Sequence, residues 1–468
     1  MADYKTPGVY IEEIPKLPPS IASVETAIPA FIGYTATAPD EIEPGAAIKK
    51  PMKISSIFEY EQYYGTVTPE TDITISIDMS QTTPSKVTKT VNRPTYLMYY
   101  SLQLFFDNGG GDCYIVSVGD YSKAGQIMET DLKIGLDEIL KLHDVTLIVF
   151  PDAINMTRDD YYKIHNAAIA QCVLLKDRFT VFDVWIDNAN ALTDNIQALR
   201  DADLVKDPAD LKYAAVYYPR IYTDVVYLDD ETKTTLTVTN DPQGNNYSGP
   251  LAGAKAAANN YYWMAQTALD NFNMLMPVSS AAVGLYAYVD SNRGVWKAPA
   301  NIGITDAIKP EIAITNDQQQ TMNVDPVAGK SVNVVRSFPG RGPAIVWGAR
   351  TLAGNDNEWR YISVRRFFIM VETSVKNATE QFVFEPNDEN TWVRVKSMIE
   401  NYLTQQWKAG ALMGASTKEA FYVHIGLGQT MTELDIWEGR MIIQIGLAAV
   451  RPAEFIILQF MHKMLSES

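Results

Sequence analysis

The middle of the chain alternates between two hydrophobic periods. Leu97, Tyr100, Ser101, Leu104 and Phe105 follow the i, i+3, i+4, i+7 and i+8 spacing that is typical of one face of a helix. Apolar runs of strand length then recur, with helical spacing between them, at residues 113–118, 145–150, 179–186 and 213–218. Strands that alternate with helices indicate βαβ units. The pattern therefore predicts a mostly parallel α/β sheet covered by helices on both faces.

The last third of the chain follows a different pattern. Two helices are predicted by the helical spacing of Val364, Phe367, Val371 and Val375 and then of Trp392, Val395, Ile399 and Leu403. Three short strands are predicted after them, at residues 421–425, 441–447 and 455–460. This arrangement predicts an α+β C-terminal domain, so that the expected fold class of the whole chain is α/β plus α+β.

Both ends of the chain carry strand-like segments. Residues 452–461 read PAEFIILQFM, which is apolar where a terminus is normally polar and frayed. Residues 7–13 are a short β-prone piece, which Pro15, Pro18 and Pro19 separate from the body as a candidate hinge. Because an exposed apolar strand pairs readily with another chain, we expect extended arms that donate strands to neighbouring copies. The candidate donor residues are Val9, Tyr10, Ile11, Glu12, Phe455, Ile456, Ile457 and Leu458.

Two polar stretches interrupt the body of the chain. Residues 66–91, with alternating Ile73, Ile75 and Ile77, predict a β-ribbon or surface insertion, and residues 221–247 predict an exposed hairpin. The expected division is an N-terminal arm with its linker (1–26), a first domain (27–122), an α/β domain (123–349) and a C-terminal domain (350–468) that ends in the donor strand 452–461.

The charge balance restricts the classes of partner. Lys and Arg number 39 against 56 Asp and Glu, which gives a formal net charge of -17. Binding to nucleic acid or to anionic membranes depends on basic residues, so neither partner is expected. No stretch approaches the roughly 20 apolar residues that cross a bilayer, and the first residues lack the pattern of a secretion signal. Assembly in the cytoplasm is the expectation.

The sequence carries none of the patterns that enzymes or metal sites require. His143, His165, His424 and His462 form no HExxH pair and have no ligand-spaced neighbours, and no GxSxG motif occurs. The glycines 109–111 lie between a predicted helix and a strand, whereas a phosphate-binding loop lies between a strand and a helix. Cys113 and Cys172 lie in apolar stretches, which is typical of buried thiols. We therefore expect no catalytic, cofactor-binding or metal-binding residue.

One stretch has the opposite charge to the rest of the chain. Between residues 336 and 366 there are six arginines and only two acidic residues, Asp356 and Glu358. These arginines form internal ion pairs or, alternatively, a basic face that meets an acidic partner. Under the second interpretation Arg360, Arg365 and Arg366 are candidate residues for the contact with that partner.

Several blocks of the sequence, taken together, resemble the phage tail sheath protein family. They begin with TPGVYIEEIP (6–15), VETAIPAFIGYT (24–35), NGGGDCYIVSV (108–118) and SNRGVWKAPAN (291–301). They continue with GRGPAIVWGARTL (340–352), WRYISVRR (359–366), FVFEPND (382–388), WKAGALMGAS (407–416) and RPAEFI (451–456). The blocks follow one another across nearly the whole chain.

The resemblance implies a structural subunit that polymerises helically around an inner tube and contracts to drive the tube through a target envelope. It also implies a subtilisin-like, non-catalytic scaffold and arms that add strands to neighbours, with residues 433–440 as a second candidate hinge. The implied partners are further copies of the chain, the inner tube, and baseplate and terminal cap proteins. Arg360, Arg365 and Arg366 are then the candidate tube-facing basic residues. The finished location would be a phage virion, a released particle or an anchored injection apparatus.

Two other functions remain open at this point. One is a tail or baseplate component that binds but does not contract, although the length of the chain and the full run of sheath-like blocks count against it. An α/β scaffold also supports hydrolases, although these require a nucleophile activated by a histidine.

Overall fold

The structure is a computed structural model that describes residues 20–37, 50–67, 73–80, 86–90, 94–123, 126–187, 192–205, 207–225 and 228–458. These residues form two compact units. The large unit comprises Glu25–Met370 together with the described residues from Arg451 onward. The small unit comprises Val371–Val450 together with the described residues before Glu25.

Eighteen β-strands occur within the described residues. In chain order they are β1 Pro29–Thr35, β2 Met52–Ile54, β3 Thr74–Asp78, β4 Lys86–Thr90, β5 Cys113–Asp120, β6 Leu147–Val149, β7 Phe179–Asp183, β8 Ala214–Tyr218, β9 Ile221–Thr223, β10 Thr235–Thr239, β11 Tyr247–Pro250, β12 Met274–Met276, β13 Ile302–Gly303, β14 Ala307–Pro310, β15 Asn333–Phe338, β16 Gly342–Val346, β17 Phe421–His424 and β18 Gln444–Leu447.

Thirteen α-helices accompany these strands in the same described ranges. In chain order they are α1 Ile57–Tyr64, α2 Met98–Asp107, α3 Glu129–Glu138, α4 Arg158–Leu175, α5 Leu192–Asp201, α6 Leu251–Ala257, α7 Asn259–Asp270, α8 Ser279–Arg293, α9 Asn316–Asn323, α10 Ile362–Thr379, α11 Glu389–Lys408, α12 Thr417–Ala420 and α13 Glu433–Trp437.

The large unit is built on a nine-stranded sheet. Its strand order is β13, β16, β15, β8, β7, β6, β1, β5 and β2. The six strands from β15 to β5 are parallel to their neighbours, and the strands at the two edges are antiparallel. The predicted parallel sheet is therefore confirmed, with antiparallel strands added at both of its edges.

Helices cover both faces of this sheet, as successive side chains of β1 show. The Phe31 ring packs edge-on against Phe105 of α2, with 5.1 Å between ring centroids. Ile32 lies against Gly135 of α3, so close that a side chain added at that glycine would collide with it. Because neighbouring residues of a strand point to opposite faces, α2 and α3 lie on opposite sides of the sheet. Every residue of β1 is accordingly buried.

The two polar insertions pair with each other. Strand β3, from the first insertion, lies between β4 and β10 in a four-stranded sheet that β11 completes. Ile75 and Ile77 are fully buried in a separate hydrophobic cluster with residues of α6 and α7. The alternating isoleucines are thus part of the buried face of this small sheet, and both insertions contribute to one hydrophobic cluster together with α6 and α7.

The small unit contains a two-stranded antiparallel sheet of β17 and β18. Helix α11 packs against β17, and Asp388 caps the start of this helix by accepting a hydrogen bond from the Thr391 backbone N–H at 2.9 Å. Together with the part of α10 from Val371 onward, these elements give the mixed helix and strand content expected at this end of the chain.

Several predicted elements differ from the observed ones. The strand predicted over residues 441–447 is shorter in the structure, where β18 covers Gln444–Leu447. The domain expected at 350–468 is shared between both units, because residues 350–370 and the described residues from Arg451 onward belong to the large unit. Among the described residues, each helix is too short or too polar to span a lipid bilayer.

Candidate assembly sites

The described end of the chain exposes four consecutive large apolar side chains. Phe455, Ile456, Ile457 and Leu458 are 70%, 79%, 80% and 72% exposed. Residues 452–458 are not in a strand within this chain, whereas the predicted donor strand 452–461 would form on a neighbouring copy; residues 459–461 lie outside the described residues. The physical reason is that a strand requires a hydrogen-bonded neighbour, and within the described residues this chain supplies none.

Directly before this exposed run, Glu454 is firmly held. The Arg350 guanidinium donates hydrogen bonds to both carboxylate oxygens of Glu454, through Nε at 3.0 and 3.2 Å and through Nη2 at 2.6 Å. Asn323 Nδ2 donates to Oε1 at 2.7 Å, and the Tyr361 hydroxyl donates to Oε2 at 3.1 Å. The Glu454 carboxylate therefore accepts hydrogen bonds from three side chains of the large unit.

The Arg350 side chain is only 4% exposed and is itself fixed. Its Nη1 donates to the carbonyl oxygens of Asn323 at 3.1 Å and Gly354 at 3.3 Å. Burial acts to raise the pKa of the Glu454 carboxyl, but the hydrogen bonds from Arg350 and Asn323 outweigh it, so that this pKa lies below its ordinary value. The charged form of Glu454 is thus favoured at this site.

The N-terminal donor residues Val9, Tyr10, Ile11 and Glu12 lie outside the described residues. The same is true of the candidate hinge residues, which are Pro15, Pro18 and Pro19. The described chain begins at Ser20 and is held by side chains of the small unit. Ser23 Oγ donates to the Tyr402 hydroxyl at 3.2 Å, and the Val24 backbone N–H donates to Ser374 Oγ at 3.0 Å.

The two-stranded sheet of the small unit has unoccupied edges. Within the described residues β17 and β18 pair only with each other, so each strand has one side without a partner strand. Tyr422 on β17 is 53% exposed. Backbone N–H and C=O groups on such edges are available to a further strand.

Residues 433–440, a candidate hinge, contain a capped helix rather than an extended connector. Thr432 and Asp435 form a capping box at the start of α13, with 3.3 Å between the Asp435 backbone N and Thr432 Oγ1. The Arg440 guanidinium pairs with Asp435 at 2.8 Å. On the outer face of this helix, Leu434 and Trp437 are 58% and 83% exposed.

The arginine-rich stretch does not form a continuous basic face. Arg365 and Arg366 are 2% and 4% exposed, so the prediction that these two residues face a tube is wrong. Arg366 pairs with Asp290 and donates to the Thr26 carbonyl oxygen at 2.9 Å. Arg365 lies over the rings of Tyr213 and Trp359, with its guanidinium carbon 5.0 and 4.6 Å from their centroids.

The alternative interpretation, internal ion pairs, describes both Arg350 and Arg366. Burial of a guanidinium requires a carboxylate partner, since an isolated charge is strongly disfavoured in the protein interior. Arg360 differs from these two because it remains partly exposed, with its Nε bonded to the Asp356 carbonyl oxygen at 3.0 Å. It is the remaining candidate of the three for a contact outside the subunit.

Comparison with known proteins gives some matches over part of the chain and others over nearly the whole of it. Residues 354–462 match the family model of the phage tail sheath C-terminal domain. The sheath complex of an extracellular contractile injection system, PVC, in its contracted state is 30% identical, with a TM-score of 0.63 and 99% of both chains covered. The chain belongs to the phage tail sheath family.

Two further relatives describe the extent of this similarity. The helical sheath of the anti-feeding prophage in its contracted state is 30% identical, with a TM-score of 0.64, over 98% of this sheath chain and 100% of that chain. The tail sheath protein of Burkholderia phage BcepMu is 29% identical over 149 residues. That match spans 31% of the phage protein, so the chain covers about a third of this curated relative.

In this sheath protein the carboxyl ends of the parallel strands hold buried carboxylates that the sequence patterns did not reveal. Asp152, just after β6, accepts hydrogen bonds from the backbone N–H groups of Tyr34 at 2.7 Å and Leu97 at 2.6 Å. Burial raises the pKa of Asp152 to about 6. Asp183, at the end of β7, accepts bonds from the backbone N–H groups of Val278 and Ser279 at the start of α8.

These carboxylates lie where α/β enzymes commonly place catalytic groups, yet they bind backbone donors. His165 lies inside α4 with its Nδ1 2.7 Å from the Tyr161 carbonyl oxygen, and burial lowers the pKa of this histidine to about 4. In the part of the chain that the structure describes, His, Cys, Asp and Glu side chains form no group of three that could hold a metal ion. The available signal was an acidic residue close after the predicted strand 145–150 for Asp152, and an acidic residue within the apolar predicted strand 179–186 for Asp183.

Proposed function

We propose that this subunit of a contractile tail sheath polymerises helically around an inner tube and contracts to drive the tube through a target envelope. The observation that carries the proposal is the largely exposed apolar run at residues 455–458, which follows a firmly held Glu454. Contacts between copies that do not close into a ring generate open helical assemblies, which is the geometry that a sleeve around a tube requires.

The exposed run is suited to pair as a strand with a neighbouring subunit. Burial of these side chains on a neighbour would stabilise the contact by roughly 1.5–3 kcal/mol for each residue. Each backbone hydrogen bond of the new strand would add about 0.5–1.5 kcal/mol. A link of this size can persist while the bodies of the subunits rotate, so contraction would not require the copies to separate.

The receiving site is the sheet of β17 and β18 in the small unit of a neighbour. Isolated two-stranded sheets are marginally stable, and they gain stability when further strands extend them. The two open edges allow one donated strand on each side, which corresponds to one C-terminal arm and one N-terminal arm. The latter contains Val9–Glu12 as donor residues and Pro15, Pro18 and Pro19 as the hinge.

The large unit serves in this proposal as a subtilisin-like scaffold without catalysis. Its parallel sheet is covered on both faces, and Asp152 and Asp183 stabilise the fold by binding backbone N–H groups. Fold alone does not determine function, because function depends on the groups placed at particular positions. Here those positions hold helix-capping contacts.

The remaining partners follow from the same role. The sheath would contact the inner tube, the baseplate and a terminal cap, with Arg360 as the partly exposed basic candidate for the tube contact. The expected place of assembly is the cytoplasm, before the particle is released, anchored or packaged as a virion. A kinetic barrier would hold the extended state until contraction is triggered.

The proposal is tested by substituting residues in the exposed run 455–458 while leaving Glu454 and its hydrogen bonds unchanged. The double variant Ile456→Asp and Ile457→Asp should abolish long sheaths when the protein is produced with its tube protein, because two charges cannot be buried in the receiving sheet. Electron microscopy of the purified assemblies provides the measurement. The isolated variant should keep the thermal midpoint of the parent, since both side chains are exposed.

The matched control is the double variant Ile456→Val and Ile457→Val. It keeps apolar, β-branched side chains at both positions, so sheaths of normal length are expected. Normal sheaths from the double aspartate variant would contradict the proposed strand donation.

A further inference from the structure

Each arm joins the body of the subunit through a short segment, here called its root. The described N-terminal root is residues 20–24 and the C-terminal root is residues 451–454, and the two roots are held by different units. The described N-terminal root is bonded to side chains of the small unit, through Ser23 to Tyr402 and through Val24 to Ser374. The C-terminal root is bonded to the large unit, although it follows the small unit directly in sequence. The chain thus returns to the large unit at Arg451, immediately before the exposed donor segment.

Glu454 makes most of the contacts that fix the C-terminal root. Its carboxylate receives the bidentate Arg350 pair and the bonds from Asn323 and Tyr361. Arg451 adds one hydrogen bond, from Nη1 to the Asn357 carbonyl oxygen at 2.8 Å. The next four residues are largely exposed, so the held and the exposed parts of the chain meet between Glu454 and Phe455.

The chemistry of this contact makes it directional as well as strong. A guanidinium and a carboxylate that meet side by side through two nitrogen atoms fix orientation in addition to distance. Arg350 is held in turn by carbonyl oxygens of Asn323 and Gly354, so the pair has a defined place on the large unit. A donor segment that starts from a fixed residue reaches a neighbour over a much narrower range of positions than one on a loose tail.

We propose that Glu454 is a positioning residue that fixes the C-terminal donor segment to the large unit, so that the two arms of each subunit are carried by different units. This inference rests on the proposed strand donation. Its consequence is that a movement of one unit relative to the other would also move one arm relative to the other. The arms would then couple a change within one subunit to its neighbours.

The first test follows the two roots in the isolated subunit, by distance measurement between paired spin labels. One pair joins Phe455→Cys to Leu174→Cys, on an exposed position of α4 in the large unit. The second pair joins Ser20→Cys to Lys408→Cys in the small unit. The native Cys113 and Cys172 are fully buried and would not be labelled.

Both pairs should give narrow distance distributions in the parent protein. Glu454→Gln should broaden the distribution of the first pair and leave that of the second pair unchanged. The matched control is Glu311→Gln, which disrupts another buried bidentate pair of the large unit, with Arg220 at 2.7 and 2.8 Å. This control should leave both distributions narrow, and a narrow first distribution in Glu454→Gln would overturn the proposal.

The second test measures assembly with unlabelled protein. Glu454→Gln should lose long sheaths, whereas Glu311→Gln should retain them at a temperature where both variants are folded. Glu454→Asp keeps the charge and should recover a part of the assembly. If Glu454→Gln frees the root but assembles as the parent does, the positioning role is wrong.

Failure of this inference can be told apart from failure of the proposed function. The label measurement uses the isolated subunit and does not depend on donation. If the double aspartate variant at residues 456 and 457 assembles normally, strand donation itself is wrong, whatever the labels show. If that variant fails to assemble and Glu454→Gln assembles normally, donation is retained and only the positioning role is overturned.

Discussion

Two apolar segments of similar composition have opposite environments in this subunit. Strand β1, PAFIGYT, lies between β5 and β6, and all of its residues are buried. Residues 455–458, FIIL, are at least 70% exposed at every position and are not in a strand. Both segments have the apolar, β-prone composition that predicts a strand.

The difference lies in where the partner strands are. The neighbours of β1 are elsewhere in the same chain, whereas residues 455–458 have none among the described residues. A local pattern indicates that a segment is fit to pair, but it does not specify with which chain. The contrast therefore teaches that the burial of an apolar, β-prone segment depends on whether a partner strand is present, and not on its composition alone.

The largest expected effect is the difference in stability between two truncations, one in each segment. Phe31→Ala removes a fully buried ring that packs against Phe105, and it should lower the free energy of unfolding by about 3–5 kcal/mol. Ile457→Ala removes a side chain that is 80% exposed, and it should change that free energy by less than about 0.5 kcal/mol. Urea denaturation of the two isolated variants gives both values. Equal losses would contradict the contrast between the two segments.

The sequence predicted the large unit well because its signals are local. Runs such as residues 113–118 and 179–186, separated by helical spacing, were sufficient to predict β5, β7 and the parallel sheet. The pairing of β3 with β10 was out of reach, because it joins residues 74 and 235 and depends on two insertions meeting in space. Local pattern establishes elements, and long-range packing decides their partners.

The arginines show the same limit for the candidate sites. Six basic residues in one stretch indicated either a basic face or ion pairs, and the acidic partners could not be identified from spacing. Those partners, Asp290 for Arg366 and Glu454 for Arg350, are 76 and 104 residues away in the chain. The apolar run at residues 455–458 could be singled out from the sequence because its signal is local.

A second prediction concerns the space around β1. A Cβ atom at Gly33 would lie 2.4 Å from Asp152 Oδ2 and 2.9 Å from the Met98 methyl carbon. The carboxylate cannot move away without losing its bonds from the backbone N–H groups of Tyr34 and Leu97. Gly33→Ala should therefore cost about 1–3 kcal/mol of the free energy of unfolding, in the same urea measurement.

Gly111→Ala is the matched control for this prediction. Apart from Gly111 and its two chain neighbours, no described residue has an atom within 4 Å of a Cβ built at Gly111, so the added methyl group should leave the free energy of unfolding nearly unchanged. A Gly33→Ala variant as stable as the Gly111→Ala variant would show that β1 lies in a looser environment than the structure indicates.

The smallest expected effect is the pH dependence of the root at Glu454, where the held chain gives way to the exposed segment. The folded-state pKa of Glu454 lies below its ordinary value of 4.5, so its contribution to stability is fully present above pH 4.5. As the pH falls through the folded-state pKa, protonation weakens the pair with Arg350 and this contribution is lost. The parent should therefore be more stable than Glu454→Gln by a constant margin above pH 4.5, and that margin should shrink below it.

Urea denaturation of both proteins across this range measures the margin, and the other titrating groups cancel because both proteins contain them. A margin that stays constant down to the lowest pH at which both proteins fold would show that the charge of Glu454 does not hold the root, and that the boundary between the buried and the exposed chain has another cause.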